Sequence, residues 1–453
     1  MKSNSIIRDL TIGSVVKNMM FLSVPFVLSN ILQAAYSIVD MIVVGKFVGS
    51  DGLSAVSNTS QIIMLMTTLG IGFTMSGQIV IAQLIGSGKR DLVKSAIGNL
   101  FNLVTFIAII MTIVGVVFSN QILKLIGTPV EAFGFSKTFL VISCLGMIFN
   151  FGYNMVSAVL RGMGDSKRPF FFIAIASILN IILCILFVGV FGWGVAGAAS
   201  ATVISQGVSF VSSIIYLYIK RDAFEFDFKL KSFKIEKSML ISLARLGFPI
   251  SLQSAAINIS MLCVIGFINN YGVTASATFG VGRKIEQTGH IINQAVGYAS
   301  TSMIGQNMGA KKYSRVKKSV VFTIGVAAIV FGILTVVYIF FPREAFALFS
   351  EDANVLNMAK MLSYSLVLAV PANIVISAMN SLMQGVGNAK LCFVIAFLDG
   401  VVTRITLCYL LGDVFGFGLQ GYFVGYALAG YVSAVPGLIY FISGRWKKRR
   451  VIL

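Results

Sequence analysis

The chain has 453 residues, of which 57% are hydrophobic and only 11% are charged, and its mean hydropathy is +0.91. A soluble protein cannot bury so large an apolar share, so this composition excludes the soluble classes and predicts a protein of the lipid bilayer. The formal net charge of +19 does not indicate a nucleic-acid partner, because most of the 35 Lys and Arg residues lie in the termini and in alternate loops.

Twelve apolar runs are long enough to cross a membrane, since a transmembrane helix needs about 20 mainly apolar residues. Their centres lie near residues 32, 68, 107, 148, 178, 207, 257, 292, 328, 371, 400 and 430. The basic loops then fall on one side of the membrane, and the positive-inside rule predicts a multi-pass protein of the cell membrane with both termini cytoplasmic. The N-terminal segment does not have the pattern of a removed signal peptide, so the first span is expected to remain.

The first span contains a single carboxylate, Asp40, within "SNILQAAYSIVDMIVVGKFVG" at 29–49. Its polar residues recur at helical spacing along one face, and they are Asn30, Gln33, Tyr36, Ser37 and Asp40. A charged group at membrane depth is costly and should face a polar cavity. Asn180 of the fifth span and Thr202 of the sixth are expected at the same depth as Asp40. We therefore predict a cavity that these residues share, with a purely structural, hydrogen-bonded aspartate as the alternative.

The two halves of the chain are a repeat. The segments "LRGMGDSK" at 160 and "MQGVGNAK" at 383 are 223 positions apart, and "GWGVAGAA" at 192 and "GFGLQGYF" at 416 are 224 apart. Because each half holds six spans, both copies have the same orientation. The predicted fold is an all-α polytopic membrane protein of twelve transmembrane helices in two six-helix lobes, 1–220 and 238–453, with a cytoplasmic linker at 221–237. Parallel repeats of this kind favour transport by alternating access.

The second half has its own ionisable residues inside the apolar runs. They are Arg283, Lys284, Glu286 and His290 in the eighth span and Asp399 and Arg404 in the eleventh. Acidic and basic side chains nearly balance, so a structural ion-pair cluster and a coupling site both remain open. One histidine and five cysteines without CxxC spacing indicate neither a metal site nor a disulfide framework.

The glycine-rich motifs do not indicate a nucleotide-driven pump. A phosphate loop needs Gly-x4-Gly-Lys-Ser/Thr, and "IGSGKRD" at 85 lacks both the first glycine and the hydroxyl. The loops "RGMGDSK" and "QGVGNAK" are interpreted as turns between helices. An ion gradient is therefore the expected energy source. A membrane hydrolase would need a His-Ser or metal constellation, so the chain is predicted not to be an enzyme and to need no cofactor.

The chain resembles the MATE (multidrug and toxic compound extrusion) transporters over almost its full length, and most of all the bacterial DinF-like branch. The segments that carry the resemblance are "PFVLSNILQAAYSIVDMIVVGKFVGSDGLSAVS", "LRGMGDSKRP", "LNIILCILFVGVFGWGVAGAASAT" and "FGVGRKIEQ". The resemblance implies two lobes of six helices and export of cationic, amphipathic compounds in exchange for protons or sodium ions. Asp40, Asn180 and Thr202 match the family's first-helix acid, fifth-helix asparagine and sixth-helix threonine.

The chain departs from the family pattern at several positions. Cys184 stands where related sequences usually have an aspartate, and Ser157 where some have asparagine. The carboxylates of the sodium-coupled branch correspond to Asn373 and to a position near 257 or 258. Sodium prefers several hard oxygen ligands, preferably including a carboxylate, so proton coupling through Asp40 is the prediction.

The predicted function is a secondary multidrug exporter that antiports organic cations against protons. The alternatives are a sodium-coupled drug exporter and a flippase for lipid-linked sugars or lipids. The predicted cavity residues are Gln33, Tyr36, Ser37, Asp40, Asn180 and Thr202, with Glu286, Asn373, Asp399 and Arg404 as secondary candidates. The expected partners are small organic cations, protons or sodium ions, and membrane lipids, and the protein is expected to be monomeric.

Overall fold

The computed structural model of the protein describes residues 7–224 and 226–449, except for the side chains at 222 and 223. Every regular element in that part of the chain is a helix, and no strand occurs in it. Twelve long helical segments follow one another: α1 Val15–Phe47, α2 Ser50–Gly86, α3 Asp91–Val117, α4 Val130–Leu145 with Met147–Gly162, α5 Lys167–Val190, α6 Gly194–Ile219, α7 Lys237–Asn269, α8 Val273–Gly309, α9 Tyr313–Phe340, α10 Ala353–Gly385, α11 Ala389–Val414 and α12 Gly418–Ile442.

The predicted spans all coincide with these helices. Ten of the described helices are long and apolar enough to cross a membrane, and the two halves of α4, bent by 45° at Gly146, make an eleventh if they count as one span. The remaining helix, α8, has 37 residues but is rich in charged and amide side chains, which keeps it below the same apolar threshold. The chain is therefore a multi-pass, all-α membrane protein, as the composition predicted.

The backbone repeats the sequence repeat. The helices α1 and α7 each have 33 residues, and α2 and α8 each have 37. Gly49 precedes α2 with φ 91°, and Gly272, which is 223 positions later, precedes α8 with φ 94°. These glycines take a positive φ that residues with a Cβ rarely adopt, so a tight turn joins the first two helices of each half.

The two glycine-rich loops are helix ends. At the end of α4 the amide of Gly164 donates to Arg161 O at 3.0 Å, and the next amide donates to Leu160 O at 2.8 Å. At the end of α10 the amide of Gly387 donates to Gln384 O at 2.8 Å, and the next donates to Met383 O at 2.7 Å. This pair of bonds around a left-handed glycine is the Schellman cap. Both loops are thus turns between helices, as predicted.

The described chain divides by contacts into two compact units. Unit 1 contains residues 7–10 and 21–251, and unit 2 contains residues 11–20 and 252–449. The change between units falls inside α7, beyond the end of the predicted linker. The predicted boundaries of the two lobes, 1–220 and 238–453, stay a prediction.

Each unit has its own apolar core. In unit 1 one cluster forms around Met66, Leu140 and Cys144. In unit 2 one buried cluster includes Phe279 and Phe423, whose rings stack with centroids 6.0 Å apart. The five cysteines are free thiols, and all but Cys263 are buried.

Candidate functional site

Three helices of unit 1 bring Asp40, Asn180 and Thr202 together. The hydroxyl of Thr202 on α6 lies 3.3 Å from Asp40 Oδ2 on α1, and Asn180 Nδ2 on α5 donates to Thr202 Oγ1 at 3.2 Å. The Thr202 hydroxyl also lies 3.1 Å from Ala198 O, one turn earlier in its own helix. Its single proton can therefore serve either the carboxylate or the carbonyl. The sequence predicted that these three residues lie at the same depth, and in the structure Thr202 contacts both of the others.

Two acceptor atoms of this cluster have no hydrogen-bond partner among the described residues. They are Asp40 Oδ1 and Asn180 Oδ1, and both are buried. Asn180 is only 1% exposed. Leaving a buried acceptor without a donor costs about 1 to 3 kcal/mol. The cluster can therefore accept one more donor or a cation.

Cys184 stands beside the same carboxyl. The thiol is fully buried and interacts with Asp40, although it does not meet hydrogen-bond geometry at Oδ1. The position where relatives were expected to have an aspartate therefore lies next to the Asp40 carboxyl. Because this position holds a thiol and not a second carboxyl, Asp40 is the acidic side chain of the pair. The regular α-helical part of α5 ends at Cys184, and a π-helical segment, Ile185–Val190, follows.

A small polar cleft opens beside the cluster. It has room for about one water molecule, and its lining residues are Tyr36, Ile173, Ala176, Asn180, Thr202, Ser205 and Gln206. The lining contains five polar side chains and no charged one. Asp40 adjoins the cleft through its contact with Thr202.

The cleft includes some predicted residues and not others. Tyr36, Asn180 and Thr202 line it, whereas Gln33 is half-buried and Ser37 is exposed, and neither belongs to the lining. Successive residues of an α-helix are about 100° apart, so a cleft on the Tyr36 side leaves Ser37 turned away.

Four lining residues were missed by the sequence analysis, namely the apolar Ile173 and Ala176 and the polar Ser205 and Gln206. The polar pair bears on the site. Ser205 is 2% exposed, and its hydroxyl has no hydrogen-bond partner among the described residues. Both follow Thr202 at i+3 and i+4, so they share its face of α6. This spacing is the signal that could have found them.

The ionisable residues of unit 2 form a second polar cluster, centred on Glu286. This carboxylate is 4% exposed, and its Oε2 accepts hydrogen bonds from Arg283 Nη1 at 2.9 Å and from Tyr426 Oη at 2.8 Å. Its Oε1 accepts from Asn373 Nδ2 at 3.3 Å and lies 3.4 Å from His290 Nε2. Four side chains from three helices therefore surround one buried acid.

Asp399 and Arg404 adjoin this cluster. Arg404 Nη2 donates to Asp399 Oδ1 at 3.0 Å, and the hydroxyl of Ser433 donates to Oδ2 at 2.7 Å. The guanidinium groups of Arg404 and Arg283 lie 5.5 and 5.7 Å from the centroid of the Tyr426 ring. Each carboxylate is thus paired with an arginine, which is the arrangement that makes buried charges tolerable. A coupling role for Glu286, Asn373, Asp399 or Arg404 stays a prediction.

Comparison with known proteins agrees with this architecture. The sequence model of the MatE family matches residues 25–186 and 249–410, two stretches of equal length that are 224 positions apart. The chain belongs to the MatE family. The predicted resemblance to MATE transporters is therefore confirmed, and the two matched stretches of this MatE protein reproduce the offset of the internal repeat.

Named relatives of this MatE protein span nearly its whole length. It is 29% identical over 448 residues to probable multidrug resistance protein YoeA of Bacillus subtilis (strain 168), covering 97% of this chain and 96% of the relative. It is 28% identical to probable multidrug resistance protein YpnP of the same organism, covering 98% of each.

The fold of this MatE protein is also similar to that of solved structures. One is a multidrug resistance MATE family transporter of the MOP superfamily in an outward-facing conformation, with a TM-score of 0.92 and 21% sequence identity, covering 99% of this chain and 100% of the other. At this identity the likeness concerns the fold alone.

Proposed function

We propose that this MatE protein is a secondary active exporter in the cell membrane, which exchanges cationic amphipathic compounds for protons by alternating access, with Asp40 as the protonation site. Relatives named as multidrug resistance proteins over 96% or more of their own length support export of small molecules. The choice of protons rests on the Asp40 cluster.

The observation that carries this proposal is the pair of buried acceptors, Asp40 Oδ1 and Asn180 Oδ1, that lack donors among the described residues. An ionised carboxyl only accepts hydrogen bonds, whereas a protonated one also donates. One proton on Asp40 therefore adds a donor to a cluster in which two buried acceptors lack one. Protonation changes the hydrogen bonds that join α1 to α5 and α6, and it can shift the packing of α1.

The same carboxylate accounts for exchange with a cation. The lining of the cleft contains no lysine or arginine, so an organic cation that approaches the Asp40 cluster from this side meets no cationic side chain there. A single negative charge can be neutralised by a proton or by the cargo. Because the two compete, uptake of a proton at Asp40 weakens binding of the cargo, and release of the proton restores it. Antiport needs this mutual exclusion.

Sodium coupling is the second candidate, and it rests on the same oxygen atoms. Asp40 Oδ1, Asn180 Oδ1 and the Thr202 hydroxyl are hard ligands of the kind that alkali and alkaline-earth cations prefer. Only one of them carries a charge, which favours the proton. The flippase alternative is not supported by the cleft, because several basic side chains would be expected around an anionic lipid head group.

The deciding experiment uses purified protein in sealed vesicles with pH and sodium gradients imposed separately. We expect an inward proton gradient to drive efflux of a lipophilic cation, and Asp40→Asn to lower that rate at least tenfold, because the amide cannot exchange the proton. Ser37→Ala, which changes an exposed residue one turn away, is the matched control and should retain transport. Full proton-driven transport by Asp40→Asn would refute the proposal, and transport driven by sodium alone would establish the second candidate.

A further inference from the structure

The segment between α6 and α7 is fastened along α3. We call residues 226–236 the strap. The side chain of Asn102 on α3 donates to Phe233 O at 2.7 Å, and that of Asn99 accepts from the Glu236 amide at 2.9 Å and donates to Lys234 O at 3.4 Å. Two asparagines of α3 therefore satisfy backbone groups of the strap along its second half.

Aromatic packing supports the same contact. Phe226 is 1% exposed, and its ring lies 6.2 Å from the ring of Phe101 on α3 and 5.3 Å from that of Phe233. The strap approaches α3 so closely that a Cβ on Gly98 would lie 1.9 Å from Ser232 O. Position 98 therefore accepts only glycine while the strap is in place.

An ionic clamp holds the first half of the strap. Lys94 Nζ donates to Asp227 Oδ2 at 2.7 Å, and the hydroxyl of Ser232 donates to Asp227 Oδ1. These two hydrogen bonds, that from Lys94 first, hold the pKa of the Asp227 carboxyl well below its usual range. The Asp227 carboxyl is therefore ionised at every physiological pH.

The outer face of the strap has a different character. Leu230 is 92% exposed and Ile235 is 63% exposed, and the three lysines between and beside them, Lys229, Lys231 and Lys234, are exposed as well. The sequence contains no acidic residue from 228 to 235. The aromatic rings at 226 and 233 pack against α3, so the outer face presents aliphatic side chains and ammonium groups.

The position of this face limits its partner. The strap follows the end of α6 at Ile219 and precedes the start of α7 at Lys237, and it lies against the first turns of α3, which begins at Asp91. It therefore runs along one boundary of the membrane. Aliphatic side chains flanked by lysines are typical of segments that lie in the lipid interface, with the ammonium groups at the head groups.

We propose that the outer face of the strap binds anionic phospholipid head groups, with Lys229, Lys231 and Lys234 at the phosphates and Leu230 and Ile235 in the apolar boundary. Charge complementarity argues for lipid, because basic segments next to a membrane are attracted to an anionic leaflet. A nucleic-acid strand would need exposed rings for stacking, and Phe226 is buried. The lipid then holds α3 and the strap at a fixed depth.

The test uses the full-length variant Leu230→Trp in vesicles of phosphatidylcholine with 25% phosphatidylglycerol, in which either lipid carries brominated chains that quench tryptophan. We expect brominated phosphatidylglycerol to quench the added fluorescence at least twofold more than brominated phosphatidylcholine at equal mole fraction. This preference should fall in 0.5 M NaCl, because salt screens exposed charges, and in the triple variant K229Q/K231Q/K234Q. The signal of the wild-type protein is subtracted, since the chain has two native tryptophans.

The matched control is Leu348→Trp, which changes a residue that is 81% exposed beside Glu351 and Asp352 and should show no such preference. Equal quenching by the two lipids in Leu230→Trp, or a preference that survives the triple variant, would overturn the proposal. Unmodified protein gives an independent measurement, because trypsin should cut after Lys231 more slowly in vesicles with phosphatidylglycerol than in pure phosphatidylcholine. Equal cleavage rates in the two would count against it as well.

Discussion

Lys311 occupies a backbone position that favours glycine. Its φ is 58°, and it follows the end of α8 at the place where Gly88, with φ 75°, follows the end of α2 in the first half. Both ends carry the same pair of cap bonds, since the amide of Lys311 donates to Met308 O at 3.0 Å and that of Gly88 donates to Ile85 O at 3.1 Å. The second copy thus has the same left-handed cap as the first, with a lysine in place of the glycine that suits it.

Replacing Lys311 with glycine should raise the stability of the protein. A residue with a Cβ loses about 1 kcal/mol in the left-handed region, which glycine avoids. We expect Lys311→Gly to raise the free energy of unfolding by about that amount. Lys311→Ala, which removes the charged side chain and keeps the Cβ, should give no such gain.

Gly88→Ala is the reverse substitution at the equivalent position of the first half. Gly88→Ala meets no atom within 4 Å and should lower stability through the backbone alone. Thermal unfolding of the detergent-solubilised variants, followed by tryptophan fluorescence, measures all three changes. Equal midpoints for Lys311→Gly and Lys311→Ala would show that the side chain, and not the backbone, sets the effect.

At the scale of helices, most of the fold and the centre of the site could be predicted from the sequence. Apolar length located the spans, and the offset of 223 to 224 predicted the repeat, because neither signal requires knowledge of how the helices pack. Asp40, Asn180 and Thr202 could be grouped because an intramembrane acid restricts which residues lie at its depth. Ser205 and Gln206 follow Thr202 at i+3 and i+4, so the same helical periodicity could have added them to the predicted site.

The strap was the largest feature that the sequence did not predict. Residues 221–237 were interpreted as a polar linker, and their composition supports that interpretation. Asn102 and Phe233 lie 131 positions apart, and such a tertiary pairing leaves no periodic trace in one sequence. The close approach of the strap at Gly98 could not be predicted from the sequence either, because a glycine within a helix can have many causes.

The clamp of the strap predicts how this element responds to charge and to pH. Asp227→Asn removes the carboxylate that Lys94 and Ser232 hold, so hydrogen exchange of the strap amides should accelerate severalfold. Lys231→Gln removes an exposed charge that lies outside the clamp, and it should leave the exchange unchanged. Since the pKa of Asp227 is depressed in the folded protein, the stabilisation is present above the ordinary pKa of an aspartate and is lost only as pH falls through the lowered value.

Wild-type exchange should therefore be the same at pH 8 and pH 5 after correction for the intrinsic rate. Acceleration at pH 5 in the wild type would contradict the ionic clamp. Unchanged exchange in Asp227→Asn at either pH would also contradict the ionic clamp.

For the whole molecule, the repeat makes a prediction about orientation. Six spans in each half require equivalent loops to emerge on the same side of the membrane. Leu125 and Leu348 are equivalent, because they are 223 positions apart, and they are 88% and 81% exposed. The distribution of basic residues predicts that both lie outside the cell and that Leu230 of the strap lies inside.

Cysteine labelling in intact cells tests this orientation directly. Leu125→Cys and Leu348→Cys should each react with a membrane-impermeant maleimide, whereas Leu230→Cys should react only after the membrane is permeabilised. The wild-type protein gives the background, because four of its five cysteines are buried and Cys263 lies within α7. Labelling of Leu125→Cys and Leu348→Cys from opposite sides would contradict the parallel repeat. Labelling of Leu230→Cys alone in intact cells would show that the topology is the inverse of the predicted one. A proton gradient could then not drive export through Asp40 in the proposed direction.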